Sequence, residues 1–234
     1  MGERIHLHIV SSTSDYLREK RAQYGDFSFV SADLQTSGKG RNGRSWVAEE
    51  GKNLTFSFLL KDPRYTSLGP KITLAVASIV AQRIEALGID AVSIKWPNDI
   101  YLHGKKAVGI LLEGSLPDYL IVGIGINVNQ TAFSEEYRIP PTSLSLALGK
   151  KIDLPSFRES LFDSLEEGIR RLPDAFGEHL SYFSAHDYLF GKKVSLEGKG
   201  HYQAIGVDPD FNLLLKEGER IFKNASGEIR VLES

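Results

Sequence analysis

GKGRNG (residues 38–43) decides the fold class, because it has the G-x-G-x-x-G spacing of a dinucleotide-binding turn. In a Rossmann fold a helix begins at the third glycine, and an acidic residue follows about twenty positions later. Here the chain continues as RSWVAEEGKN, which has no helical period, and then alternates as a strand. The context therefore excludes a Rossmann loop. A Walker A loop is excluded as well, because no glycine of the stretch precedes Lys and then Ser or Thr.

The segments on both sides of this loop predict an α+β domain with a mixed sheet. Alternating apolar residues predict strands at 5–10, 27–35, 53–60, 91–96 and 119–128, and a hairpin at 100–114 that turns at His103 and Gly104. Apolar residues three and four apart predict a helix at 68–87 that ends at Gly88. Further helices are predicted at 142–148, 155–172 and 173–185, and a short one after the caps Ser12, Thr13 and Ser14.

The pattern changes after Asp187. Turn signals recur about every ten residues, as EGKG, DPDFN, KEGE and ASGE. This spacing predicts a small β-barrel of about five strands. We therefore predict two domains, residues 1–187 and residues 188–234.

Composition limits the possible chemistry. The 234 residues carry a formal net charge of −2, so a site for an anion has to be local. The absence of cysteine excludes disulfides, thiolate zinc and a thiol nucleophile. Since no apolar run reaches membrane-spanning length and the first residues lack a signal-peptide pattern, a cytoplasmic protein without a membrane partner is expected.

The glycine-rich loop itself is basic. Lys39, Arg41 and Arg44 lie in it, and no acidic residue occurs between Gly38 and Val47. Glycine makes the ordering of a loop entropically costly, so we predict a lid that is mobile until an anion arrives. A solvated basic turn is the alternative for this loop taken alone.

Three other stretches are unusual. KWPND (residues 95–99) follows a predicted strand, GKKAVGIL (104–111) carries two lysines into another, and GIGIN (123–127) ends a third. Loops at strand ends on a rigid sheet often carry binding residues. For the most unusual residues of these stretches, an ordinary structural role is the alternative when each is considered alone; this holds for Trp96, Pro97, Asp99, Lys106 and Asn127.

Together these motifs resemble the bacterial biotin protein ligases, in the form that lacks an N-terminal DNA-binding domain. The resemblance runs through SST (11–13), QTSGKGRNGRSW (35–46), the three stretches above and AIGVDPDFNLLL (204–215). It implies a class II synthetase-like catalytic domain, in which helices flank a mixed β-sheet, followed by a C-terminal SH3-like β-barrel.

The resemblance also implies a two-step reaction. Biotin attacks the α-phosphorus of ATP with Mg²⁺ present, and a lysine of the biotin carboxyl carrier protein of acetyl-CoA carboxylase then takes the biotinyl group. A homodimer that does not bind DNA is implied as well.

Residue roles follow from the same resemblance. Arg41 and Lys106 are the implied catalytic residues. The implied biotin contacts are Ser12, Thr13, Ser14, Gln35, Gly38, Lys39, Gly40, Arg41 and Lys106. The implied ATP contacts are Arg41, Arg44, Trp46, Asn98, Asp99 and Asn127. The sequence departs from the usual family pattern at Ser11, Ser14, Lys39 and Asn42.

Two alternatives remain beside this interpretation. A lipoate ligase shares the architecture, but a site built with Gln35 and hydroxyls leaves polar groups unpaired against an apolar dithiolane. A nucleotide-binding regulator without activity is the other, and biotin-dependent release of pyrophosphate distinguishes an enzyme from it.

Overall fold

The computed structural model describes residues 2–133, 141–196 and 200–232, and these residues form two β-sheets. The first sheet has seven strands in the order β1-β2-β3-β7-β6-β5-β4. β1 and β2 are parallel, and every other neighbouring pair is antiparallel, so the predicted mixed sheet is confirmed. The strands are β1 (Arg4–Val10), β2 (Ser28–Gln35), β3 (Leu54–Leu60), β4 (Val92–Lys95), β5 (Asp99–Leu102), β6 (Lys105–Ser115) and β7 (Tyr119–Ile126).

Helices cover both faces of this sheet. The helix α1 (Thr13–Lys20) packs on one face, where Leu17 is fully buried with Val30, Leu59 and Ile121. The opposite face carries the main core and the long helix α3 (Lys71–Glu85). The remaining helices are α2 (Pro63–Thr66), α4 (Leu144–Leu148), α5 (Leu154–Arg170) and α6 (Phe176–Ala185). None of the helices in the described ranges has the length and apolar character that a membrane crossing requires.

Several predicted helix ends are wrong, and local backbone geometry explains one of them. The helix expected from residue 68 begins at Lys71, because Gly69 has a left-handed φ of +51° and separates α3 from the unpredicted α2. The helices predicted to start at residues 155 and 173 begin at Leu154 and Phe176. The helix predicted to start at residue 142 is α4, which begins at Leu144. The hairpin turn at His103 and Gly104 is confirmed, with φ of +47° and +76°.

The second sheet has five antiparallel strands, as the turn spacing predicts. They are β8 (Lys193–Leu196), β9 (His201–Val207), β10 (Leu213–Glu217), β11 (Arg220–Asn224) and β12 (Ile229–Val231), in the order β11-β10-β9-β8-β12. The first predicted turn, EGKG, lies at 197–200, and its residues 197–199 are outside the described residues. The domain boundary at Asp187 stays a prediction.

The segment around Asp187 lies beside the edge strand β4. The amide of Ile94 donates to the carbonyl of His186 at 2.8 Å, and the amide of Tyr188 donates to the carbonyl of Ile94 at 3.0 Å. The buried indole of Trp96 donates to the carbonyl of Phe211 at 2.9 Å. These contacts join the end of β4 to the C-terminal sheet.

Asp187 gives a testable pH dependence of stability. Burial raises the pKa of its carboxyl to about 6. A carboxyl whose pKa is raised on folding favours the folded state at low pH, and this contribution is lost as the pH rises through the folded pKa. We therefore expect the stability of Asp187→Asn, relative to that of the unchanged chain, to increase by about 1.4 kcal/mol when the pH is raised from 5 to 8. Urea unfolding at both pH values measures this difference. The exposed Asp174→Asn is the control, and equal pH dependence of the two variants would contradict the assignment.

Candidate active site

A row of residues crosses the first sheet on the face that α1 partly covers. In register, Thr55 on β3 pairs with Gly125 on β7, Gly125 with Gly109 on β6, Gly109 with Asp99 on β5, and Asp99 with Lys95 on β4. Neighbours in register have their side chains on the same face. The row therefore has no side chains at its centre and charged side chains at its β4 and β5 end.

A cavity of about 370 Å³ lies against this row. The sheet forms its floor, the glycine-rich loop lies along one side, and Gly227, Glu228 and Ile229 of the C-terminal domain contribute to its wall. The cavity therefore combines residues that are far apart in the sequence.

One end of the cavity is lined by hydroxyl groups. The Thr13 hydroxyl lies 2.7 Å from the Ser57 hydroxyl, which lies 2.9 Å from that of Ser14. Both the amide and the hydroxyl of Thr13 donate to Oε1 of Gln35, at 2.7 and 3.0 Å. Gly123 permits this packing, because a Cβ there would lie 2.9 Å from the Ser14 oxygen. We refer to Thr13, Ser14, Gln35 and Ser57 as the hydroxyl cluster.

The hydroxyl cluster is buried and has mixed hydrogen-bonding capacity. Thr13, Ser14 and Ser57 are each less than 5% exposed. Hydroxyls both donate and accept, and an amide side chain offers one acceptor oxygen and two N–H donors. Such a group can satisfy a ligand that carries a carbonyl and N–H groups together. Ser12 instead caps α1, with its hydroxyl accepting from the amide of Asp15.

The glycine-rich loop closes on itself through its backbone. The amide of Trp46 donates to the carbonyl of Gly38 at 2.9 Å, and the amide of Gly40 donates to the carbonyl of Arg44 at 2.7 Å. A 3₁₀ turn at Arg41–Gly43 forms its tip, where Asn42 has a φ of +55°. Asn tolerates this left-handed conformation better than most residues, which gives the departure at Asn42 a structural reason.

The three cations of the loop have different partners. Lys39 contacts the carboxylate of Asp15 at 2.7 Å, and Arg44 contacts Glu228 of the C-terminal domain. Arg41 donates to Oδ1 of Asn98 at 3.1 Å. Burial lowers the pKa of Arg41, although a guanidinium stays protonated in proteins. Arg41 is therefore a charged donor with a neutral partner.

Trp46 lies flat on the centre of the row. A Cβ on Gly125 would lie 2.3 Å from its indole ring, and a Cβ on Gly109 would lie 3.0 Å from it. The ammonium of Lys106 is 5.9 Å from the centre of the ring. The two glycines are therefore required where this indole lies.

Charged groups occupy the other end of the cavity. Lys106 contacts Asp99 at 2.7 Å, and Lys95 donates to the hydroxyl of Tyr101 at 3.5 Å. Burial lowers the pKa of Lys95. This end presents ammonium groups to the cavity, as an anionic ligand requires.

All predicted site residues except Gly38 line the cavity. Gly38 lies at the base of the loop, where a Cβ would be 2.4 Å from the carbonyl of Trp46. The side-chain amide of Asn127 donates to the carbonyl of Thr142 at 3.0 Å, which fixes this residue in the cavity wall. Ser57, Tyr101 and Glu228 also line the cavity but are not among the predicted site residues, and Lys95 is noted only as part of KWPND. Ser57 has a signal, since it follows Asn53 and Thr55 on the polar side of the alternating strand NLTFSFLL.

Comparisons with known proteins point to one family. The sequence profile of the Biotin/lipoate A/B protein ligase family matches residues 7–128. The bifunctional ligase/repressor BirA of Bacillus subtilis is 35% identical over 246 residues, covering 99% of this chain and 75% of that protein. The biotin–[acetyl-CoA-carboxylase] ligase of Mycobacterium tuberculosis is 30% identical, covering 85% of this chain and 76% of that protein.

A solved structure has nearly the same fold over the whole chain. The biotin protein ligase from Aquifex aeolicus, in complex with biotin and ATP, superimposes with a TM-score of 0.87 at 33% identity. The alignment covers 99% of each chain.

Proposed function

The chain belongs to the Biotin/lipoate A/B protein ligase family, and from this membership we propose that it is an ATP-dependent biotin protein ligase. A single observation carries the proposal: one cavity joins the hydroxyl cluster at one end to Arg41 and Lys106 at the other. Biotin has a ureido group that needs donors and acceptors and a carboxylate that needs cations. The two chemically different ends of the ligand therefore correspond to the two chemically different ends of the cavity.

The first step joins two anions. A carboxylate oxygen of biotin forms a bond to the α-phosphorus of ATP, the bond from that phosphorus to the bridging oxygen breaks, and pyrophosphate leaves with the electron pair. Arg41 and Lys106 stabilise the negative charge that shifts between these oxygens, since fixed donors act most strongly where charge develops. Lys106 is positioned for this by Asp99.

The second step transfers the biotinyl group to a carrier protein. The lysine amine of the carrier forms a bond to the acyl carbon, AMP leaves with the electron pair, and the amine loses a proton. The acceptor is the biotin carboxyl carrier protein of acetyl-CoA carboxylase. The glycine-rich loop keeps water from the mixed anhydride until this amine arrives.

The remaining predicted residues are proposed in the same terms. Thr13, Ser14 and Gln35 bind the ureido group, and Ser57 is added to them. Ser12 and Gly38 hold the shape of the biotin pocket, while Gly40 and Lys39 cover the ligand once Lys39 has left Asp15. Arg44, Trp46, Asn98 and Asn127 form the nucleotide side.

Magnesium fits the residues at the charged end. Asp99, Glu228 and the amide oxygen of Asn98 line the cavity, and Mg²⁺ binds one or two carboxylates together with substrate phosphates. When bound, the ion neutralises phosphate charge. Asp99 is the residue that we propose holds it.

The lipoate alternative is not favoured. The hydroxyl cluster would face the apolar dithiolane of lipoate with the donors and acceptors that its internal hydrogen bonds leave over unpaired, which costs about 1 to 3 kcal/mol for each buried group. The Mycobacterium tuberculosis relative and the matched structure are both named as biotin ligases.

Exchange of labelled pyrophosphate into ATP tests the function. We expect exchange that depends on added biotin and is not supported by lipoate. Transfer of radiolabelled biotin to the carrier lysine tests the second step. Binding of biotin and ATP without any labelled carrier would exclude the ligase.

The glycines beneath the indole ring of Trp46 give a further prediction. Gly125→Ala places a methyl group where the indole ring lies, so the ring has to move. We expect the KM for ATP to rise by about fivefold, as the loss of one aromatic contact of roughly 1 kcal/mol implies. Gly177→Ala, with nothing within 4 Å of the added methyl, is the control. Tryptophan fluorescence reports the displacement, and an unchanged spectrum and KM would contradict this role of Trp46.

Location and oligomeric state are also proposals, and the oligomeric state rests on the resemblance to bacterial biotin ligases alone. We propose a cytoplasmic location and a homodimer. Light scattering coupled to size-exclusion chromatography measures the oligomeric state.

A further inference from the structure

The cations of the cavity differ in whether a carboxylate already neutralises them. Lys39, Arg44 and Lys106 each form an ion pair, with Asp15, Glu228 and Asp99 respectively. Lys95 lines the same cavity, but no carboxylate oxygen in the described part of the chain lies within 4.0 Å of its ammonium. Lys95 is therefore a cation whose charge is available to a ligand.

Lys95 is also held in place. Its ammonium lies 5.5 Å from the centre of the Tyr101 ring and donates to the hydroxyl of that ring at 3.5 Å. Tyr101 packs on Tyr188, with ring centres 4.7 Å apart, and the ammonium of Lys192 lies 3.2 Å from the centre of the Tyr188 ring. This stack reaches from the sheet to the C-terminal domain and limits the movement of the Lys95 side chain.

The burial of this ammonium is unfavourable without an anion. A charged group removed from water loses hydration, and only a partner of opposite charge offsets the loss. Burial lowers the pKa of Lys95 in the free protein, and an anion beside it would favour the charged form again. The free-energy cost of burying the Lys95 ammonium is therefore offset when an anionic ligand binds beside it.

The position of Lys95 distinguishes it from Lys106. Lys95 pairs in register with Asp99, at the edge strand β4. Lys106 contacts Asp99 from the opposite strand, β6, and lies near Trp46 over the centre of the row. Lys95 is therefore farther along the row from the hydroxyl cluster, beyond the place proposed for the carboxylate and the α-phosphate.

We propose that Lys95 binds the β- and γ-phosphates of ATP and stabilises the pyrophosphate as it leaves. The inference rests on the proposed ligase function. When biotin oxygen bonds to the α-phosphorus, the electron pair of the broken bond stays on the bridging oxygen of the pyrophosphate. Lys95 stabilises the negative charge that accumulates on this oxygen, while Arg41 and Lys106 stabilise the charge on the acyl and α-phosphate oxygens.

The test compares Lys95→Gln with Lys95→Arg and with the control Lys105→Gln, whose side chain is exposed and outside the cavity. For Lys95→Gln we expect the KM for ATP, and for pyrophosphate in the reverse reaction with prepared biotinyl-5′-AMP, to rise by about 10- to 100-fold. The Kd for biotin and the rate of transfer from biotinyl-5′-AMP to the carrier should stay unchanged. Lys95→Arg should recover part of the loss.

Results other than these contradict either the role of Lys95 or the proposed function, and the two cases can be told apart. An unchanged KM for pyrophosphate in Lys95→Gln, or an equal loss in the transfer step, overturns the role of Lys95. Failure of the unchanged protein to form any adenylate overturns the proposed function instead, and this inference with it. If the variants do not fold, acetylation of the unchanged protein followed by mass spectrometry replaces them: sodium pyrophosphate should protect Lys95 and leave Lys105 reactive, and equal reactivity overturns the role.

Discussion

Lys106→Ala is expected to lower the rate of biotinyl-adenylate formation by about 100- to 1,000-fold, the loss typical of one preorganised donor to a developing negative charge. The ammonium of Lys106 is held 2.7 Å from Asp99 and is directed at the cavity. Its charge acts where carboxylate and phosphate approach each other. The KM for biotin should change much less than the rate, because the contact strengthens in the transition state. Single-turnover formation of the adenylate measures the effect.

A second explanation of that loss has to be separated. Removal of Lys106 leaves the Asp99 carboxylate without its ion pair, and an unpaired carboxylate repels phosphate. The double variant Asp99→Asn with Lys106→Ala removes that repulsion. Because Asp99 is also the proposed Mg²⁺ ligand, the double variant is compared with Asp99→Asn alone. We expect it to be clearly slower than that single variant, whereas equal rates would assign the loss to Asp99. A normal adenylation burst in Lys106→Ala would contradict the catalytic role altogether, and Lys105→Ala is the matched control.

The sheet was predictable because its strands follow simple local patterns. Alternation in NLTFSFLL predicts β3, and the turn residues His103 and Gly104 predict the hairpin between β5 and β6. Both turn residues have positive φ values in the structure. The glycine-rich loop was excluded from the Rossmann class by the residues that follow it. These features depend on neighbours along the chain, so one sequence contains them.

Other parts of the site depend on contacts between distant residues. Glu228 lies 184 residues from its partner Arg44, and nothing around it indicates a place at the cavity. Gly109 and Gly125 belong to the motifs GKKAVGIL and GIGIN, but only the register of β6 and β7 places them under Trp46. Lys95 was part of a noticed motif, but its lack of a carboxylate partner in the described residues is a property of packing.

The loop illustrates the same limit. Its composition predicted a mobile lid, and the structure places it along the cavity with backbone hydrogen bonds across its base. Its side chains are distributed between α1, the Asn98 turn and the C-terminal domain. Charge alone did not predict that only Arg41 would be directed at a neutral group. The mobility of the loop remains a prediction.

Arg41→Gly is therefore expected to release the adenylate before transfer. Arg41 is the loop residue whose guanidinium reaches across the cavity to Asn98, and Asn98 is itself fixed by its bond to the carbonyl of Ile110. Loss of one charged hydrogen bond of about 1.5 to 3 kcal/mol corresponds to release that is roughly 10- to 100-fold faster. Free biotinyl-5′-AMP acylates any exposed lysine, so selectivity for the carrier should be lost.

The experiment supplies the carrier together with an unrelated lysine-rich protein and measures biotin on each. The variant should label both proteins, and the unchanged enzyme should label only the carrier. Asn42→Gly is the matched control: it also adds a glycine to the loop, at a residue whose φ of +55° a glycine accepts without strain, and it keeps the guanidinium. If Asn42→Gly releases as much adenylate as Arg41→Gly, loop flexibility and not the Arg41 contact determines retention. If Arg41→Gly keeps its selectivity while Asn98→Ala loses it, the Asn98 turn retains the adenylate without help from the loop.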